Sequence, residues 1–298
     1  MSKSIRKKNS SQWSKEVDDF IRGASGGFLF GIPLLYTMEV WWIGSYIEPP
    51  RMLGLLAVTY VVVFLLNRVE GFRENSNQVI DAAMESVEAL TIGIICTTFL
   101  LILLRRITLE TSLDEALGKI ILESIPFSLG VTLSRSFLQG DRSLSQQQKD
   151  SSGQSHQKAQ KANHPNFYET LADISATLIG AIMIAFSIAP TDEIPLLAAA
   201  SSPFWLIAII VVSLLISFGI VFAAGLTDQR KRQQQRGIFQ TPGGETLLSY
   251  LVSLLASGLM LWFFAQLSLS DPWFMWLRYT LLLGLPATIG GAAGRLAL

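Results

Sequence analysis

Apolar residues in this chain come in unbroken runs. Residues 205 to 225, WLIAIIVVSLLISFGIVFAAG, are apolar all round. They lack the polar face of a surface helix, and they lack the alternation over about ten residues that marks a membrane β-barrel strand. A hydrocarbon core about 30 Å thick takes roughly 20 such residues per helical crossing. Eight segments approach that length: about 24 to 46, 51 to 67, 79 to 104, 115 to 137, 169 to 190, 203 to 226, 246 to 268 and 273 to 296. The pattern predicts an all-α, polytopic membrane protein with eight transmembrane helices.

Composition agrees: 50% of the 298 residues are hydrophobic, 15% are charged, and the mean hydropathy is +0.42. The tail MSKSIRKKNSSQWSKEVDDFIR is long for a signal peptide, and FLFGIPLLYTMEVWWIG is not followed by a small-residue cleavage site, so the first run is expected to be retained as a span. The one cysteine, Cys96, sits within an apolar run. It implies no disulfide framework and no redox compartment, and is most simply a packing residue.

The net charge of zero hides an asymmetry. Short cytoplasmic loops keep the excess of Lys and Arg. With the N-terminus inside, all but five of the 23 basic residues fall on the cytoplasmic side, the five being Arg51, Arg105, Arg106, Lys119 and Arg278. Both termini are therefore expected in the cytoplasm, and the runs SIRKK and DQRKRQQQR read first as topology signals, with anionic lipid as a secondary use. Between Gly140 and Pro165 the sequence is rich in Gln, Ser and Lys and has no apolar stripe. The expected organisation is a first membrane unit at 1–138, a disordered cytoplasmic linker at 139–166 and a second unit at 167–298. His156 and His164, the two histidines, both fall in the linker, where a zinc or general-base role is not expected.

The two units resemble each other. IPFSLGVTLSR and LPATIGGAAGR align Pro126 with Pro286, Gly130 with Gly290 and Arg135 with Arg295, an offset of 160. Thr37 to Glu39 (TME) aligns with Thr191 to Glu193 (TDE), and Pro50 follows the one as Pro203 follows the other. At the close of the second spans Val63, Phe64, Glu70 and Arg73 match Val221, Phe222, Asp228 and Lys231. Such nearly constant offsets predict a tandem duplication of a four-helix unit. Since four spans return the chain to its starting side, the copies would run parallel about an axis along the membrane normal.

Acidic residues within spans are costly, at least about 2.5 to 3.5 kcal/mol on insertion scales, and are functional candidates by default. Glu39 lies among apolar and aromatic residues; Glu193, with Asp192 beside it, is its counterpart, bracketed by Pro190 and Pro195. Prolines free backbone carbonyls, and interrupted helices at matching positions of two repeats point to a substrate site. Carboxylates with freed carbonyls suit a hard cation or a proton. The competing readings are an exposed outer loop for Glu193 and an arginine pair for Glu39. Glu123 lies three residues before Pro126, has Leu283 as its counterpart, and has Lys119 one turn away as a candidate ion-pair partner. Asp81, Glu85 and Glu88 share one helical face and read either as the acidic mouth of a pathway or as a helix end outside the membrane. For Pro126, Gly130, Pro286 and Gly290 a kink and close helix packing are expected, with Arg135 and Arg295 reaching the cytoplasmic interface.

The order GIPLLYTMEVWW, APTDEIP and the paired Pro-x3-Gly-x4-Arg ends resembles a family of bacterial integral membrane proteins known as a domain of unknown function, over nearly the whole chain. That resemblance implies a bacterial inner membrane location and carries no established activity.

No Gly-x-Ser-x-Gly elbow, His-Glu-x-x-His pair or Gly-rich phosphate loop occurs, and the aspartates sit near span ends, so no enzyme and no cofactor are expected. The leading expectation is a cation or proton pathway, channel or transporter, with Glu39, Glu193, Asp192 and Glu123 as binding residues and Asp81, Glu85 and Glu88 at its mouth. Expected partners are the lipid bilayer and an inorganic cation or proton, with no nucleic acid; the metal, and assembly of identical chains, stay open. The alternative is a non-transporting scaffold that binds a protein through its cytoplasmic loops.

Overall fold

The structure, a computed structural model, describes residues 2–70, 78–151, 167–223 and 242–296. Among the described residues there are ten α-helices, one π-helical turn and no strand. In chain order these are α1 (Ser2–Leu35), α2 (Met38–Tyr46), α3 (Pro49–Glu70), α4 (Gln78–Leu103), α5 (Leu113–Ser151), α6 (Phe167–Ile188), α7 (Glu193–Ala200), α8 (Pro203–Phe218) with the π turn Gly219–Ala223, α9 (Pro242–Phe263) and α10 (Trp273–Leu296). Arg73, Asp228, Lys231, His156, His164 and the basic run from Arg230 to Arg236 lie outside the described residues, as do residues 152–166 and the side chain of Arg135. The segment expected as linker is helical from Gln139 to Ser151 as the continuation of α5.

Five helices are long and apolar enough to cross a membrane, and up to seven if each of two bent pairs is one span. With each bent pair counted as one span, α10 is the one expected span that does not qualify. At 24 residues it is long enough to cross, but Arg278, Pro286 and its glycines dilute its hydropathy. Its residues from Leu281 to Ala292 are all buried, so the other helices shelter it. Exposed Val58, Val61, Leu65, Ile207, Leu215, Leu251 and Leu255 make the outside of the bundle apolar, as a surface in lipid requires.

The run 24 to 46, expected as one span, is broken. Helix α1 ends at Leu35, Thr37 is extended (φ −120°, ψ 105°), and α2 departs at 90°. The corresponding break between α6 and α7 turns by 88°. At the first elbow Trp41, 2% exposed, folds back so that its indole Nε1 donates to the carbonyl of Leu35 at 2.8 Å, satisfying one of the orphan acceptors at the end of α1. At the second, the hydroxyl of Thr191 donates to the carbonyl of Ile188 at 2.6 Å, and Gln266 Nε2 donates to the carbonyl of Pro190 at 3.4 Å.

In each half the first helix packs most extensively against the last, α1 on α5 and α6 on α10. Glycine makes this possible. A Cβ on Gly26 would stand 2.5 Å from the carbonyl oxygen of Gly130, and one on Gly130 would stand 2.5 Å from that of Gly26. Between Gly180 and Gly290 each Cβ would likewise run into the other's carbonyl oxygen. The expected packing role of Gly130 and Gly290 thus has its partners. Helices α5 and α10 continue unbroken through Pro126 and Pro286.

The end of α4 and the end of α9 are also alike in atomic detail. Arg105 and Ala265 both adopt φ 58°. Arg106 N–H donates to Leu101 O and Arg105 N–H to Ile102 O, and Gln266 N–H to Leu261 O and Ala265 N–H to Trp262 O. Both are Schellman motifs, with a non-glycine residue in the left-handed position.

Candidate functional site

The two elbows meet. A cavity of about 450 Å³ is lined by Pro33, Leu34 and Tyr36 to Glu39 from the first, and by Ser187, Ile188 and Thr191 to Glu193 from the second. Three of the sequence-predicted carboxylates, Glu39, Asp192 and Glu193, are therefore brought to one place. They differ in setting. Glu39 and Asp192 are exposed, whereas Glu193 is 5% exposed.

Glu193 opens α7, yet it serves the other elbow. Its Oε1 accepts the backbone N–H of Met38, the first residue of α2, at 3.2 Å. That N–H has no partner within α2, and a helix N-terminus attracts negative charge. Glu193 Oε2 is buried without a hydrogen-bond partner. Glu193 is therefore buried, although it follows a turn in which Pro190 and Asp192 are exposed. Glu39 is not paired with an arginine among the described residues; it lies at the open edge of the cavity.

A second contact joins the halves at the same level. Pro286 cannot donate to the carbonyl of Leu282 one turn back. The hydroxyl of Tyr36 takes that acceptor at 2.9 Å. Tyr36 is 3% exposed, and its counterpart in the second half is Pro190, so the bond has no mirror. The sequence flagged the freed carbonyl through Pro286, but offered nothing to say which side chain would reach it.

Glu123 lies elsewhere. It is 1% exposed in α5, facing α4, where Thr97 Oγ1 donates to the Glu123 backbone carbonyl at 3.4 Å, and its own Oε1 has no hydrogen-bond partner. The candidate ion pair with Lys119 is not made. Lys119 Nζ turns the other way, bonding Glu115 Oε1 at 2.5 Å and the carbonyl of Arg106 at 3.2 Å. The reason is geometric: Glu115 is equally one turn away and closer to the helix end, where it also meets Ser45. Arg106 itself stacks over the Trp41 ring at 4.8 Å; burial pulls its pKa below the ordinary arginine value, with the charge of Glu115 acting the other way.

Asp81, Glu85 and Glu88 are exposed on α4, and they are not among the residues lining the elbow cavity. At the opposite end Arg295 closes α10 as a buried, paired residue. It is 3% exposed, bonds Glu245 at 2.8 Å through Nη2 and lies over Phe222 at 5.8 Å. Sequence reasoning passed over Glu245, although it stands 160 residues after Glu85, the same offset that relates Arg295 to Arg135. Among the described residues no group of three His, Cys, Asp or Glu side chains is placed to hold a metal ion.

Several apolar helices joined by two bent elbows over an acidic cavity define a multi-pass integral membrane protein. A family model described as "Putative integral membrane protein (DUF2391)" matches residues 19–298, and the chain belongs to that family. No curated protein matches it, and neither does any solved structure.

Proposed function

We propose that the protein provides a pathway for a cation or proton across a bacterial inner membrane, entered through the elbow cavity. In this reading the chain crosses eight times as two parallel four-helix units, each bent pair serving as one crossing and α10 as the eighth, with both termini in the cytoplasm. The excess of basic residues on that side supports the orientation. The matched elbows, glycine pairs and Schellman turns support the duplication.

The observation that carries the reading is the buried carboxylate of Glu193, with one oxygen unpartnered, in a cavity shared by two interrupted helices. A buried acid without a compensating partner costs stability, and broken helices at corresponding positions mark substrate sites in transporters. Glu39 and Asp192 at the mouth would draw cations toward it. Glu123 is the second unpartnered carboxyl and would serve deeper in the first unit.

The test is flux in proteoliposomes holding the purified protein, under imposed sodium, potassium and proton gradients. Glu193→Gln keeps an acceptor for the Met38 N–H and removes the charge; it should lower flux at least tenfold, and Glu39→Gln should lower it as well. Equal flux in wild type and both variants would remove the cavity from the pathway. Absence of flux in every gradient, with a protein recovered by crosslinking to the cytoplasmic segments, would favour a scaffold instead.

A further inference from the structure

We infer that the elbow cavity binds an organic ammonium ion: a protonated amine with a short apolar tail. The inference rests on the cation-pathway reading above and gives the cation a chemistry.

Size is the first argument. A bare divalent ion is held by six to eight close oxygens or by a tight octahedron, and the three carboxylates that line the cavity are not placed as a metal-holding group. The cavity measures about 450 Å³, within the roughly 300 to 1,000 Å³ of small-molecule sites and far above the roughly 30 Å³ share of one water molecule.

The chemistry of the walls is the second. The lining holds three carboxylates and no lysine, arginine or histidine. Glu193 has a fixed orientation, because Oε1 is taken by the Met38 N–H, and Oε2 is buried with no hydrogen-bond partner. An ammonium head carries up to three N–H donors. Thr37 and Ser187 add hydroxyl oxygens to the lining, and so does Thr191, whose hydrogen is committed to Ile188 and whose lone pairs remain to accept. Pro33, Leu34 and Ile188 supply an apolar wall that no inorganic ion would use and an alkyl tail would cover.

The experiment measures binding to the full-length protein in lipid nanodiscs, using n-butylammonium chloride as the probe and sodium chloride and sodium butyrate at equal concentration as controls. Butylammonium should bind saturably and the two sodium salts should not. Glu193→Gln should weaken it at least tenfold, and Asp192→Asn and Glu39→Gln about threefold each. Since Asp192 and Glu39 are exposed, those two variants keep the test valid if Glu193→Gln fails to fold. Sodium binding as well as butylammonium, with the same loss in the variants, would overturn the ammonium assignment while leaving the cation pathway in place. Cation flux in liposomes with no butylammonium binding would do the same. Neither binding nor flux would overturn both.

Discussion

The two halves of the chain agree where the backbone is constrained and differ where a side chain meets the elbow cavity or the inside of α5. Each half has a break turned by about a right angle, a glycine pair where the first helix touches the last, and a left-handed residue ending the helix before the last. Yet Tyr36 faces a carbonyl where its counterpart Pro190 has no hydroxyl, Glu193 is buried while Glu39 is exposed, and Glu123 stands where the other half has Leu283. The division to be tested is that the like features serve stability and the unlike residues serve the proposed pathway.

Exchanging the unlike pair on α5 and α10 tests that division most severely. Leu283 is fully buried. Leu283→Glu would place a second carboxyl in the interior and should destabilise the bundle by about 3 kcal/mol or more. Glu123→Leu gives the first half the residue of the second and removes a buried oxygen without a partner. It should stabilise by about 1 to 3 kcal/mol while lowering cation flux. Thermal unfolding in detergent reads the first effect and proteoliposome flux the second. A Glu123→Leu protein that is less stable, with flux intact, would make Glu123 a structural residue.

The glycine pairs come next, and here the halves should behave alike. Gly130→Ala and Gly290→Ala each drive a methyl group into a facing backbone that cannot rotate aside, and each should cost about 1 to 3 kcal/mol. Gly54, also within a helix, meets nothing within 4 Å, and Gly54→Ala should instead gain up to about 1 kcal/mol. If Gly130→Ala were harmless and Gly290→Ala severe, the halves would not share one packing scheme.

Much of this likeness was legible in the sequence, for physical reasons. Prolines and glycines report on backbone geometry, so the offset that paired Pro126 with Pro286 and Gly130 with Gly290 also paired the helices that meet there. Pro190 and Pro195 signalled the interrupted helix of the second half, but a run of apolar residues looks the same whether straight or bent, and so 24 to 46 read as one crossing. Burial of individual acids was less legible. Glu39 sits in the more apolar sequence and is the exposed one; Glu193 sits among prolines and polar residues and is buried, because the N-terminus of α2, 155 residues away, supplies its donor. Local hydropathy carries no record of such a partner. The same holds for Lys119, whose neighbours Glu115 and Glu123 are equidistant along the helix, and whose choice depends on Ser45 and Arg106 from outside it.

The latch between halves should give a smaller effect. Tyr36→Phe removes the donor to Leu282 O and leaves a buried carbonyl with neither its helical partner nor its replacement, at a cost of about 1 to 2 kcal/mol. Leu282 is bonded in this way only because of Pro286. Pro286→Ala restores an N–H to the helix, so the penalty of Tyr36→Phe should shrink in that background. A double-mutant cycle reads the coupling directly, and purely additive effects would mean that the hydroxyl and the proline act independently.

The smallest effect belongs to the helix ends. Arg105 and Ala265 hold the same left-handed conformation, which costs a side-chain-bearing residue roughly 1 kcal/mol relative to glycine. At Ala265 the methyl group brings no compensating polar contact, so Ala265→Gly should stabilise the protein by about 0.5 to 1 kcal/mol. At Arg105 the guanidinium lies over the Trp205 ring at 5.5 Å, tying the end of α4 to the start of α8, and cation–π contacts contribute about 0.5 to 1 kcal/mol at exposed sites. Arg105→Gly relieves the same strain and removes that contact, so its net change should fall near zero. Thermal unfolding of the two variants side by side separates the cases. A gain at Arg105 equal to that at Ala265 would show that the arginine–tryptophan contact contributes nothing to holding the halves together.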